Sequence, residues 1–308
     1  MLAIFLKTVP FFALIGLGYC AARIRFFPEA ATAALTRFVF YFALSAMLFR
    51  FSASLSISAI FDARLAAAYL AGTLAVYLVA TGAALLRRQD LQTAAIEAQT
   101  ASIGNTGFLG LPMLALLLGE AAVAPIILML SIDLIVFASL LVILVTVARE
   151  GRMSLGVFAT IGMGLVKNPM IVSIVAGLAV SSSGQSLPTV ADEFVTLLGN
   201  AATPCALFAI GASLASKSAE RLAVSGWLSF AKLVLHPLFV AAGVYLLFAV
   251  PPFQAAVAVA TASLPVAGNV YMLAQHYGIA PQRVSAAILI STAFSILTVS
   301  TVIALVNP

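Results

Sequence analysis

Two asparagines, Asn105 and Asn269, interrupt apolar stretches in the company of glycine and proline: Ser102-Ile-Gly-Asn-Thr-Gly-Phe-Leu-Gly-Leu-Pro112 and Ser263-Leu-Pro-Val-Ala-Gly-Asn269. An amide side chain both donates and accepts, while glycine and proline open the helical backbone around it and free N–H and C=O groups for a solute. The chemistry on offer is recognition rather than bond-making. Asp133 stands in the middle of another apolar run, where a carboxylate costs at least ~2.5 kcal/mol to place and demands compensation. Lys232 and His236 are four residues apart, hence on one helix face, and are the obvious partners to test. Two readings stand side by side for this trio: a structural pair or hydrogen-bonded acid, or an ion-coupling group for protons or another cation. His236 precedes Pro237 and also fits a kink-filling role. Glu97 is expected to be a rim charge, Lys7 and Lys167 to snorkel at span ends, and Cys20 and Cys205 to pack.

The elements that position these residues follow from composition. Of the 308 residues, 63% are hydrophobic and 8% charged, with a mean hydropathy of +1.17; soluble domains carry about 25% charged residues. Apolar runs of bilayer length, about 20 residues, recur throughout. Ten spans are expected, at 2–22, 36–54, 65–86, a broken 94–118, 122–147, 158–180, 194–214, 222–250, a broken 253–277 and 284–306. Lipid offers the backbone no partners, so these runs must be helices. The fold class is thus all-α and polytopic. A cleaved signal peptide at Lys7 and its apolar sequel is disfavoured because the segment reappears later in the chain.

That reappearance is systematic. A shift of 159 residues (169 − 10) pairs Pro10 with Pro169, Gly18 with Gly177, Phe49 with Phe208 and Met113-Leu-Ala115 with Met272-Leu-Ala274. Around the breaks the shift slips to 161, and neither of these two shifts superposes Asn105 on Asn269. Five spans per copy is an odd number, so the copies enter the membrane in opposite senses, giving an inverted repeat with residues 1–150 as the first half and 151–308 as the second. Arg23, Arg25, Arg37, Arg87, Arg88, Arg149, Arg152, Lys217, Arg221 and Arg283 fall after odd-numbered spans, against only Arg50 and Arg64 after even ones. Basic residues collect on the cytoplasmic side, so both termini are expected outside.

Gly104-Asn-Thr-Gly-Phe-Leu-Gly-Leu-Pro112, Lys167-Asn-Pro169, Gly199-Asn-Ala-Ala-Thr-Pro-Cys-Ala-Leu-Phe208, His236-Pro237 and Leu264-Pro-Val-Ala-Gly-Asn269 together resemble the auxin efflux carrier family over essentially the whole chain. The resemblance implies a secondary carrier of small organic anions, such as dicarboxylates or auxin-like carboxylates, in a bacterial cytoplasmic membrane. It also implies fold kinship to bile-acid symporters and sodium/proton antiporters, with spans one, two, six and seven as scaffold, three to five and eight to ten as a mobile core, and helices four and nine broken and crossed. Ser45 stands where the family usually has proline, and Gly104 where plant carriers have proline.

The candidate substrate-binding set, drawn from the breaks and these motifs, is Asn105, Thr106, Gly110, Pro112, Thr203, Pro204, Pro265, Gly268 and Asn269. Asp133, Lys232 and His236 are the candidate ion-coupling set, with coupling to protons or sodium. No catalytic template or histidine-rich metal pattern occurs, so no enzyme, cofactor or metal is expected, and the +5 charge fits membrane orientation rather than nucleic acid. A homodimer is allowed for. Alternatives are a sodium-coupled bile-acid-type symporter, a cation/proton antiporter, which should need an acidic pair, and a channel. No arginine lies deep in a span, so an anion would be held by half-helix N-termini, each worth roughly +0.5 charge.

Overall fold

A computed structural model describes residues 2–56, 60–150, 155–185, 187–216 and 222–306. Arg152, Lys217, Arg221 and the junction between the expected halves at 151 lie outside them. The described residues are helical: α1 (Leu2–Arg23), α2 (Glu29–Ala53), α3 (Ala63–Leu86), α4 (Leu91–Ser102), α5 (Thr106–Leu118), α6 (Glu120–Arg149), α7 (Leu155–Lys167), α8 (Pro169–Ser182), α9 (Thr189–Leu214), α10 (Leu222–Leu247), α11 (Pro252–Ala262), α12 (Gly268–Tyr277) and α13 (Pro281–Val306). Six of these are long and apolar enough to cross a bilayer, and a seventh is added if the bent pair around Asn168 is one span. Large apolar side chains such as Leu78, Leu197, Leu246 and Phe294 are exposed, as a surface facing lipid requires.

Local sequence sets the helix ends. Asp62 caps α3 by accepting from the Arg64 and Leu65 N–H groups, and Asp90 caps α4 through Thr93 N–H at 2.7 Å. Asn168 accepts from Met170 N–H at 3.0 Å with Pro169 in the first turn of α8. This cap lies inside the expected span 158–180, which is bent by 68° there instead of running through; proline cannot continue the preceding helix. The expected span at 36–54 begins earlier, at Glu29, because the polar first turn still carries an apolar face. Arg37 and Arg50 are therefore inside α2 rather than in loops.

Helices close on one another through glycine. A Cβ on Gly18 of α1 would collide with the Phe208 carbonyl of α9, and a Cβ on Gly177 of α8 with the Phe49 carbonyl of α2. Both partners are separated by the same 159 residues (177 − 18 and 208 − 49). Small residues at such crossings let backbones approach closely, which is how helices associate in lipid. The remaining helices bury a polar interior, described next.

Candidate functional site

The two broken stretches meet. Gly104 and Val266 form an antiparallel bridge, with Asn105 N–H donating to the Pro265 carbonyl at 2.8 Å and Ala267 N–H to the Ile103 carbonyl at 3.1 Å. Val266 N–H donates to Ser291 Oγ of α13 at 3.1 Å. These three N–H groups, freed by the breaks, are thus paired across the crossing or with a hydroxyl, as buried groups must be. At this crossing α4 and α11 end, and α5 and α12 begin. Two helix N-termini and two C-termini converge on one place.

Glycine shapes it. A Cβ on Gly104 would sit 3.2 Å from Lys232 Cε and Nζ, one on Gly110 would strike Leu264 across the crossing, and one on Gly107 would strike Met170. Asn105 is buried, and its carbonyl accepts from Leu109 and Gly110 N–H at 3.1 and 2.9 Å, starting the π turn Thr106–Gly110. Pro265 and Gly110 are buried, Pro112 is half-buried in the first turn that follows, and Gly268 is exposed at the head of α12. Asn269 is half-buried, with Oδ1 shielded from solvent and without a partner among the described residues. Thr203 and Pro204 lie on the second part of α9, which packs on the Thr106–Gly110 turn; Thr203 is half-buried and Pro204 exposed. The candidate substrate-binding residues therefore gather at or beside the crossing.

Beneath it lies a charged layer. Lys232 and His236 are fully buried and Asp133 is 3% exposed. Lys232 Nζ donates to the Ala262 carbonyl at 2.6 Å, so a cation sits on the negative end of α11. It also lies 3.0 Å from His236 Nδ1, whose other nitrogen is 2.9 Å from Thr73 Oγ1. Tyr69 OH donates to both Asp133 oxygens, at 3.0 and 3.2 Å, and the Thr106 hydroxyl at the head of α5 is a further hydrogen-bond neighbour of that carboxylate. Asp133 opens one π turn, Asp133–Phe137, and Lys232 lies in another, Ala231–Leu235. Such turns widen a helix and recur at functional sites. Lys232 and His236, the partners to test for Asp133, do not pair with it directly: Tyr69 and Thr73 stand between, and Asp133 is a hydrogen-bonded acid with no ion pair within 4 Å among the described residues. Tyr69, Thr73, Tyr77 and Thr81 recur every four residues on α3, a polar stripe that sequence reasoning passed over.

Glu97 is a rim charge, as expected, but a covered one. It is 1% exposed, held by the guanidinium of Arg87 and by Arg283, whose NH1 is 2.6 Å away and also donates to Gln89 Oε1. This triad ties α4 to α13 at the rim where Arg149 caps the Tyr277 carbonyl. Two inward arginines cover this rim charge.

A profile described as Membrane transport protein matches residues 3–303. A relative from Rhizobium meliloti (strain 1021), named "Putative malonate transporter", is 32% identical over 303 residues, covering 97% of this chain and 95% of the relative. The chain belongs to this membrane transport protein family. The resemblance to auxin efflux carriers is thereby borne out, and with its several apolar helices this family member is a multi-pass membrane transporter.

Proposed function

We propose that the protein is a secondary carrier that moves a small organic anion, a dicarboxylate of malonate size, across the cytoplasmic membrane by alternating access. The observation that carries this reading is the crossing itself. Two half-helix N-termini point into it, the arrangement by which discontinuous helices hold anionic groups in transporters. Asn105 and Asn269 orient the carboxylates, with Thr106, Gly110, Pro112, Thr203, Pro204, Pro265 and Gly268 shaping the site, and Asp133, Lys232 and His236 couple it to an ion. The name of the malonate-type relative supports the substrate class.

The architecture in this reading is ten membrane passes in two inverted five-helix repeats, both termini outside, with a core of passes three to five and eight to ten moving on a scaffold of one, two, six and seven. The Gly18–Phe208 and Gly177–Phe49 crossings, each shifted by the same number of residues, support the duplication. Protein reconstituted into vesicles loaded with unlabelled malonate should take up labelled malonate by saturable counterflow. Linear, non-saturating flux without counterflow identifies a channel and refutes the carrier.

A further inference from the structure

The layer beneath the crossing connects Lys232 to Asp133 through hydrogen bonds at both ends and, between them, Thr73 and Tyr69 one turn apart on α3. Lys232 Nζ approaches His236 Nδ1, His236 Nε2 approaches Thr73 Oγ1, the Thr73 hydroxyl neighbours the Tyr69 hydroxyl, and Tyr69 OH donates to Asp133. An ammonium has no acceptor, so His236 Nδ1 must accept and its Nε2–H must donate onward to Thr73. Every donor then points from Lys232 toward Asp133. Both ends touch the same break: Lys232 lies against Gly104, and Asp133 beside Thr106.

From this we infer that the coupling ion is a proton, that it is carried on this Lys232–His236–Thr73–Tyr69–Asp133 relay, and that Tyr69 and Thr73 are its positioning residues. The inference rests on the carrier reading and names the ion that reading leaves open. One concerted shift moves a proton from the Lys232 ammonium to His236 Nδ1, from His236 Nε2 to Thr73, from Thr73 to Tyr69 and from Tyr69 to the Asp133 carboxylate. The ion pair becomes a neutral amine and a neutral acid, with no bond to carbon made or broken. With both ends charged the relay sums to zero, so an anion entering beside Thr106 leaves an uncompensated negative charge in a buried site. A proton taken from the aqueous side onto the Lys232 amine left by that shift gives the layer one net positive charge, which balances an anion carried as its monoanion, such as hydrogen malonate, and the two leave together.

The surroundings leave the relay alone in this role. Helix α4, packed on the Lys232 turn, brings Glu97, which two arginines already neutralise, and Tyr77 of α3 donates away to the Ala95 carbonyl. Helices α5 and α11 carry no titratable side chain. Among the described residues no group of three or more His, Cys, Asp or Glu side chains gathers that could hold a metal ion, and both Asp133 oxygens already accept from Tyr69.

The test separates coupling from transport. Tyr69→Phe and Thr73→Val keep shape but cut the relay, so malonate counterflow should persist while accumulation driven by a pH gradient is lost. A sodium gradient should drive nothing in the unaltered protein. Accumulation retained in both variants, or driven by sodium, overturns the inference, whereas absent counterflow in the unaltered protein counts against the carrier reading. Infrared titration without substrate decides the relay even then. A carboxylic C=O band should appear with falling pH, vanish in Asp133→Asn and shift in Tyr69→Phe; absence of that band, or its indifference to Tyr69→Phe, refutes the relay.

Discussion

Gly18 lies under the Phe208 carbonyl and Gly177 under that of Phe49, so the same contact is made twice, 159 residues apart. The charged layer has no such copy. Shifted by that number, Asp133 falls on Thr292, Lys232 on Thr73 and Tyr69 on Leu228. The breaks differ too: Asn105 is buried and its N–H donates across the crossing, whereas Asn269 is half-buried and its side-chain oxygen has no partner among the described residues. Packing between helices depends on backbone approach, which small residues at positions 159 apart allow twice. Charge in a buried layer must instead sum to zero once for the whole molecule, so one half supplies the acid and the other the base.

Moving the acid across the pseudo-repeat should break that division most completely. In Asp133→Thr combined with Thr292→Asp, gradient-driven malonate uptake should be lost, because Leu228 cannot donate where Tyr69 does; restored uptake would make the halves interchangeable. Nearly as large is the effect at the breaks, where Asn105→Ala and Asn269→Ala should each abolish counterflow in vesicles while the protein still elutes as a folded species. Normal flux in either variant removes that asparagine from the site.

Smaller effects sharpen the packing side. Gly18→Ala and Gly177→Ala each press a methyl into a backbone carbonyl, and overpacking of this kind costs about 1–3 kcal/mol. Melting in detergent should fall by similar amounts in both, and tolerance of one alone would show that the two crossings are not equivalent. Ser291→Ala leaves Val266 N–H without its acceptor, a loss of about 1–3 kcal/mol for a buried donor, again read by melting. Least of all is the α4 cap. The Thr93 N–H holds the Asp90 carboxyl below its ordinary range, so its contribution is complete above the unfolded-state value and fades as pH falls through the lowered one. Asp90→Ala should cost about 0.5–2 kcal/mol at neutral pH and nothing extra in acid.

The breaks were legible because glycine, proline and asparagine cluster inside lipid-length apolar runs, and Asn105 and Pro265 fall on stretches that meet in space. The matched spacing of Gly18, Phe49, Gly177 and Phe208 recurs as two contacts. What the sequence did not carry was who pairs with whom. Lys232 and Asp133 are 99 residues apart (232 − 133), and the intervening Tyr69 and Thr73 look like ordinary members of an apolar helix until α3 is packed on α10. The cover on the Glu97 rim charge was hidden for a related reason: a charge near a helix start is exposed unless distant residues, here Arg283, cover it. The bend at Asn168 lay in plain view as an Asn-Pro pair, but hydropathy alone runs across it.

The central claim is that helix ends at the crossing hold an anion. Binding of malonate and of its neutral diamide to the purified protein, measured by calorimetry side by side with Lys232→Met, tests it most directly. Malonate should bind, the diamide should not, and Lys232→Met should weaken malonate binding without abolishing it, since the half-helix N-termini remain. Equal binding of acid and amide would contradict the account.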